Sequence, residues 1–189
     1  MSAPYHPPAV PTTGTLDALP SPLLVRGLSV VLPAHDEVET LAEVVRDALR
    51  VGATCAGVLE VIIVDDGSRD GTADVAHALA RAEERVRVVT HPQNLGYGAA
   101  LRSGFQHAQH EWIGSTRSDG QFDLADLPRL LALLGRYDVV TGYRAARRDG
   151  HVRSAFGAAF SAAVNHLLGV HVRDVNCAFK VYPKHLFDG

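Results

Sequence analysis

The sequence predicts an α/β fold, a mainly parallel sheet of five or six strands with helices on both faces. Three observations carry it. Short β-branched runs alternate with segments of helical period along most of the chain. The clearest run, Val61-Ile62-Ile63-Val64, is apolar throughout, as in a strand covered on both faces. It stops at Asp65-Asp66-Gly67-Ser68-Arg69-Asp70-Gly71-Thr72, and the carboxyl edge of an open α/β sheet is where ligands bind.

The elements follow in order. Leu28 to Leu32 reads as the first strand, ending at Pro33, and His35-Asp36-Glu37 leads into a helix with Val38, Leu41, Val44, Val45, Ala48 and Leu49 on one face. After the Val61 run come a helix over Thr72 to Glu84, a strand over Val86 to Val89, and a helix over Tyr97 to Gln109. Trp112 to Thr116 is a fourth strand, Leu124 to Leu134 a helix and Asp138 to Thr141 a fifth strand. A basic loop from Tyr143 to Arg153, a helix over Ser154 to Leu168 and a strand over Phe179 to Tyr182 complete the order.

A chain of 189 residues with 47% hydrophobic and 21% charged residues suits one soluble domain, read as residues 28–189. Residues 1–27 contain Pro4, Pro7, Pro8, Pro11, Pro20 and Pro22 without apolar periodicity, and read as a disordered tail that lacks the features of a signal peptide. A formal charge of −3 is not that of a nucleic-acid binder. No run reaches the roughly 18 apolar residues of a membrane span, because Asn165, His166 and His171 interrupt the nearest candidate, Ala155 to Val172. Cys55 and Cys177 are far apart and outside metal-ligand spacing, which fits a reducing, cytoplasmic setting.

The Asp65 to Thr72 segment has two readings. Its carboxylates suit sugar hydroxyls, a base edge or a cation, while Ser68 and Asp70 equally suit a turn and a helix start. Other motifs fail on inspection. Asp66, Ser68, Asp70 and Gly71 fall at calcium-loop spacing, but the twelfth position is His77 instead of Glu. Gly96-Tyr97-Gly98 lacks the third glycine of a dinucleotide fingerprint and follows the third strand. There is no phosphate-loop lysine and no nucleophile elbow.

What remains is a series of groups at strand ends: Leu32-Pro33-Ala34-His35-Asp36-Glu37, Asp65-Asp66-Gly67-Ser68, Asn94-Leu95-Gly96-Tyr97-Gly98, Asp119-Gly120-Gln121-Phe122-Asp123, Thr141-Gly142-Tyr143-Arg144 and Asp174-Val175-Asn176-Cys177-Ala178-Phe179-Lys180. This set resembles the inverting family-two glycosyltransferases of GT-A fold, in particular the polyprenyl-phosphate mannose and glucose synthases. The resemblance implies a Rossmann-like GT-A sandwich that transfers a hexose from a nucleoside-diphosphate sugar to a polyprenyl phosphate with inversion, on the cytoplasmic side of a membrane. It implies that Pro33, Ala34, Glu37, Asp65 and Asp66 line the nucleotide pocket, where carboxylates accept from an imide N–H or ribose hydroxyls. Gly96 and Gly98 would admit the backbone close to the nucleotide, beside a helix start that favours phosphate. Asp119 and Gln121 would hold Mg2+ or Mn2+ at the diphosphate. Arg144, Arg153 and Lys180 would face the acceptor phosphate, and Asp174 would orient the acceptor or act as base, or else serve as a cap or ion-pair partner.

The chain departs from the family at one position. The usual motif is Asp-x-Asp-x-Gln, and here Arg117 stands two residues before Asp119. Arginine has no acceptor and keeps its charge, so metal affinity is expected to fall. Three outcomes stay open: Arg117 clamps the diphosphate in a metal-independent enzyme, the chain is a nucleotide-sugar binder of little activity, or Arg117 turns outward and Asp119 keeps a weak cation site. A transferase acting on a soluble hydroxyl acceptor is a further alternative. Ala178 replaces the glycine usual before Phe179. Arg147 and Arg148 suit either an acceptor-facing or a solvated loop, and His91, His107, His110 and His166 read as surface or packed histidines.

Overall fold

The computed structural model describes residues 24–120, 122–143, 164, 166, 174–175 and 177–187. Six strands form one sheet: β1 (Val25–Ala34), β2 (Ala56–Asp65), β3 (Val86–Thr90), β4 (Trp112–Ser115), β5 (Val140–Thr141) and β6 (Lys180–Pro183). The helices are α1 (Leu41–Cys55), α2 (Thr72–Ala82), α3 (Tyr97–His107) and α4 (Leu127–Leu131). The strand order is β3-β2-β1-β4-β6-β5, with β6 antiparallel to both neighbours and β1 to β4 parallel. The mainly parallel α/β sandwich expected from the sequence is therefore observed.

Alternation along the strands explains the two layers. Val30, Leu32, Val61 and Ile63 point into a core shared with Val45 and Ala48 of α1, Ala76 of α2 and Leu127 of α4. Val31, Ile62, Val64 and Ile113 point the other way, onto Ala100 and Phe105 of α3. Gly104 allows α3 to lie close against β1, since a Cβ there would fall 2.2 Å from Val31 Cγ1. The chain winds outward from β1 to β3, then crosses through α3 to β4 on the other side of β1. That reversal opens a crevice between the carboxyl ends of β1 and β4, the usual ligand position of such sheets.

Several boundaries differ from expectation. β1 begins at Val25, which is 7% exposed and pairs with Ala56, so the ordered sheet extends three residues into the segment read as tail. The helix expected over Leu124 to Leu134 is a 3-10 turn, Leu124–Asp126, followed by α4. Pro128 has no N–H to close a helical bond onto Leu124, and the Asp123 carboxylate caps the turn from Ala125 N–H. β5 is two residues long instead of four. Of the helix expected over Ser154 to Leu168, only Val164 and His166 are described, and both are helical. Cys55 and Cys177 are buried and form no disulfide, and no described helix is long and apolar enough to cross a membrane.

Candidate functional site

The crevice holds a cavity of about 310 Å³ whose walls include Pro33, Ala34, His35, Glu37, Asp66, Gly96, Tyr97 and Arg117. A larger hollow of about 570 Å³ opens at the opposite sheet edge beside Val25, Val58 and Trp112, with Arg26 and Glu111 as its charged lining. Chemistry selects the smaller one, where carboxylates, a guanidinium and a helix start converge.

The loops around this cavity are stitched by their own side chains. Asp36 N–H donates to Ser68 Oγ at 3.1 Å, Glu37 N–H to Thr72 Oγ1 at 2.8 Å, Val38 N–H to an Asp70 carboxylate oxygen at 3.1 Å, and Arg69 N–H to Asp36 Oδ1 at 2.8 Å. Asp36 is the one described non-glycine residue at positive φ, 55°, and this bridge holds it there. Asp65 is buried outside the lining, with Oδ1 accepting from Ser68 N–H at 3.2 Å. The acidic segment thus divides its labour: Asp65 and Asp70 shape the loops, and Asp66 reaches the cavity.

Asp66 ties the loop after β3 to the sheet. Its Oδ1 accepts from Leu95 N–H at 2.9 Å and lies 2.7 Å from His91 Nδ1, while Oδ2 accepts from Gly96 N–H at 2.8 Å. A carboxylate only accepts, which puts the His91 proton on Nδ1; Nε2 then meets Ser103 Oγ on α3 at 2.8 Å. Burial raises the Asp66 carboxyl, but the bonds from His91, Leu95 and Gly96 prevail and hold it below the ordinary range. Glu37 behaves oppositely. Burial pushes its carboxyl up, Asp119 adds to the effect, and Thr40 and Arg117 oppose it, so an incoming N–H or hydroxyl donor would favour the anion.

Gly96 has φ +91°, lines the cavity and precedes the first turn of α3, while Gly98 stands over open space outside the lining. Arg117 follows β4. Its Nε lies 2.6 Å from Asp119 Oδ2, and its Cζ is 6.0 Å from the Tyr97 ring centroid. The arginine is half exposed at 51% and the aspartate side chain is 11% exposed. Between them Ser118 is anchored, with Oγ donating to the Pro33 carbonyl at 2.6 Å.

A second cavity, about 330 Å³, shares Tyr97 and Arg117 with the first. Its other walls include Leu101, Phe122, Val175, Ala178, Lys180 and Tyr182. Lys180 Nζ donates to the Val175 carbonyl at 3.0 Å. Phe122 meets Phe179 edge-on at 6.2 Å, and Tyr182 packs on Phe105 and Phe187 behind the wall. The chamber therefore combines two cations with an aromatic surface. The Tyr97 hydroxyl, pushed up to about 12 first by burial, stays a donor at neutral pH.

Asp174 is buried outside both linings, and its carbonyl accepts Cys177 N–H at 3.1 Å. Gln121, Arg144 and Arg153 lie outside the described residues, as do Arg147 and Arg148. No group of three or more His, Cys, Asp or Glu side chains among the described residues is placed to hold a metal ion. At Asp119 the fixed cation Arg117 occupies the position beside Oδ2, and its charge opposes a divalent ion there. Of the two residues expected at the Mg2+ or Mn2+ site, Gln121 lies outside the described residues and Asp119 is paired with Arg117.

Sequence reading gave no individual role to His35, Tyr97, Ser118 or Tyr182. His35 Nδ1–H donates to the Asp66 carbonyl at 2.9 Å, and Tyr97 lines both cavities. The signal for Tyr97 was its place inside the Gly96-Tyr97-Gly98 turn; Tyr182 carried none, because its contacts arise from the antiparallel return of β6.

The sequence profile described as glycosyl transferase family 2 matches residues 29–188. An undecaprenyl-phosphate 4-deoxy-4-formamido-L-arabinose transferase from Pseudomonas fluorescens (strain SBW25) is 33% identical over 171 residues, covering 88% of this chain and 50% of its own length. The corresponding protein of Sodalis glossinidius is 28% identical over 170 residues, with 89% and 52% covered. The chain thus spans about half the length of the curated relatives it matches. Among solved structures, glucosyl-3-phosphoglycerate synthase from Mycobacterium tuberculosis in complex with phosphoglyceric acid superposes with a TM-score of 0.68 at 25% identity, over 85% of this chain and 58% of that one. The fold is shared at 19% identity with a Pyrobaculum calidifontis mannosyltransferase in complex with GDP-Man and Mn2+, TM-score 0.62, over 85% of this chain and 45% of that one.

Proposed function

The chain belongs to glycosyl transferase family 2, and on that premise we propose that it transfers a sugar, a hexose in the first instance, from a nucleoside-diphosphate sugar to a polyprenyl phosphate. The observation that carries this reading is the pair of adjoining cavities that share Tyr97 and Arg117. In it the first cavity takes the nucleotide: Glu37 accepts from base or ribose, Pro33 and Ala34 form the floor, and the first-turn N–H groups of α3 face phosphate. Asp66 serves the same pocket indirectly, by holding Leu95 and Gly96 in place. The second cavity takes the acceptor, with Lys180 toward its phosphate and the Phe122 and Tyr182 wall beside its apolar part. Arg144 and Arg153 are proposed to add to this cation set, and the protein to meet the membrane peripherally.

The chemistry asks little of acid–base groups. An acceptor phosphate is already ionised near neutral pH, so its oxygen attacks the anomeric carbon as the bond from that carbon to the β-phosphate oxygen breaks. The electron pair leaves on the nucleoside diphosphate, configuration inverts and no proton moves. Asp174 is accordingly assigned to shaping the Asp174 to Lys180 loop, with a base role reserved for a hydroxyl acceptor.

A soluble phosphorylated acceptor is a second reading, favoured by the similarity to glucosyl-3-phosphoglycerate synthase. Incubation with radiolabelled UDP- and GDP-hexoses and a UDP-aminopentose, with undecaprenyl phosphate or phosphoglycerate, tests both. Label moving to the organic phase supports the lipid acceptor; label moving only to phosphoglycerate supports the second reading. Nucleotide binding without transfer to either supports a binding protein and overturns the proposed reaction.

A further inference from the structure

Arg117 stands where a divalent cation is expected to be coordinated, and the structure shows it tied to the carboxylate expected to be a ligand. Its guanidinium meets Asp119 and lies over the Tyr97 ring, and the residue lines both cavities. Resting on the proposed transfer reaction, we propose that Arg117 is a two-position internal counterion. It pairs with Asp119 while the nucleotide cavity is empty and turns onto the donor's diphosphate when that cavity fills, supplying the charge otherwise brought by a metal ion.

Geometry and charge both favour the exchange. An arginine presents five N–H donors in a planar fork, so one carboxylate oxygen near Nε leaves other donors available to phosphate oxygens. At 51% exposure the arginine has room to turn, and although its Asp119 partner is only 11% exposed, a doubly charged diphosphate offers the guanidinium fork several oxygens in exchange for one carboxylate oxygen. The Tyr97 ring, 6.0 Å from Cζ, offers a surface along which a flat guanidinium can stay in contact. As the anomeric bond breaks, the leaving diphosphate gains one negative charge, and a guanidinium in the shared wall faces that charge from the side where the acceptor enters. When product leaves, Asp119 takes the guanidinium back. Asp119 is then a competitor for Arg117, and its removal favours the diphosphate.

Calorimetric titration with uridine diphosphate and guanosine diphosphate, each in EDTA and in Mn2+, tests this on the natural chain and on Arg117→Met, Arg117→Lys and Asp119→Asn. The expected pattern is binding of one diphosphate in EDTA that Mn2+ changes by less than about twofold. Loss of the charge-assisted bonds in Arg117→Met weakens it about tenfold or more, with partial recovery in Arg117→Lys. Asp119→Asn tightens it about two- to fivefold by releasing the arginine. Strict dependence on Mn2+ in the natural chain, weaker binding by Asp119→Asn in EDTA, or indifference to Arg117→Met would each overturn the counterion while leaving the nucleotide site standing. Binding of neither diphosphate in either buffer would overturn the nucleotide reading as well.

Discussion

Arg117 Nε lies 2.6 Å from Asp119 Oδ2, closing the two ends of the Arg-Ser-Asp run on each other while Ser118 between them is anchored to the Pro33 carbonyl. The run is therefore a turn pinned at its middle, with a half-exposed arginine at its start. Replacing Arg117 with Asp exchanges a cation for a second hard oxygen ligand on that turn. Diphosphate binding by Arg117→Asp is expected to become Mn2+-dependent, with a gain of about tenfold or more on adding the ion. Titration with and without Mn2+ checks this, and equal binding in the two buffers would contradict it.

Asp66 is the keystone of the nucleotide loop, since it receives Leu95 N–H and the His91 ring and shares Gly96 N–H with Asn94 Oδ1, which lies 2.9 Å from that nitrogen. Asp66→Asn retains one acceptor oxygen and is expected to cost about 2–3 kcal/mol in urea unfolding, because a buried donor is left without its partner. The pH dependence follows from the lowered carboxyl. A carboxyl whose folded pKa lies below its unfolded value, about 3.9, contributes stability that is complete above that value and fades as pH falls through the folded one. The stability gap between the natural chain and Asp66→Asn should hold near neutral pH and narrow below about pH 4.

Two glycines separate strain from crowding. Gly67 has φ +69°, and a Cβ there would stand 2.3 Å from the Gln93 carbonyl carbon; Gly135 has φ +83° with nothing within 4 Å. Gly135→Ala should cost about 1–2 kcal/mol from the left-handed backbone alone. Gly67→Ala adds overpacking against backbone, for about 2–5 kcal/mol in all, and displaces the loop that carries Gly96. Denaturant unfolding of both variants measures the difference, and equal costs would show that the Gln93 contact relaxes freely.

Lys180 divides acceptor from donor. Its ammonium bonds the Val175 carbonyl in the second cavity, outside the lining of the first. Lys180→Ala is expected to raise the acceptor KM about tenfold or more and leave diphosphate affinity unchanged. A matching fall in diphosphate affinity would place Lys180 in the nucleotide site instead.

The strands, their direction and the two-faced core were legible because each buried run carries a strong period or an unbroken β-branched stretch, as in Val61 to Val64. The helix after Asp123 was misjudged because apolar spacing is blind to a missing N–H, and Pro128 breaks the ladder. Asp65 and Asp66 looked equivalent in sequence, yet adjacent strand-end residues face opposite sides, so one caps a turn and the other reaches the cavity. His91 could be read as packed, but its tie to Asp66 and Ser103 joins the segment after β3 to the middle of α3, a pairing that sequence spacing does not encode. The same holds for Arg117. Its departure from the motif was visible, whereas its pairing with Asp119 and its position between two cavities required the fold.

The most direct measurement is a crystal structure of the chain with the diphosphate selected by titration, grown in EDTA. The nucleoside is expected between Pro33, Glu37 and Gly96, with the Arg117 guanidinium within hydrogen-bonding distance of a phosphate oxygen and separated from Asp119. A diphosphate bound with Arg117 still paired to Asp119, or a nucleotide seated away from this crevice, would contradict it.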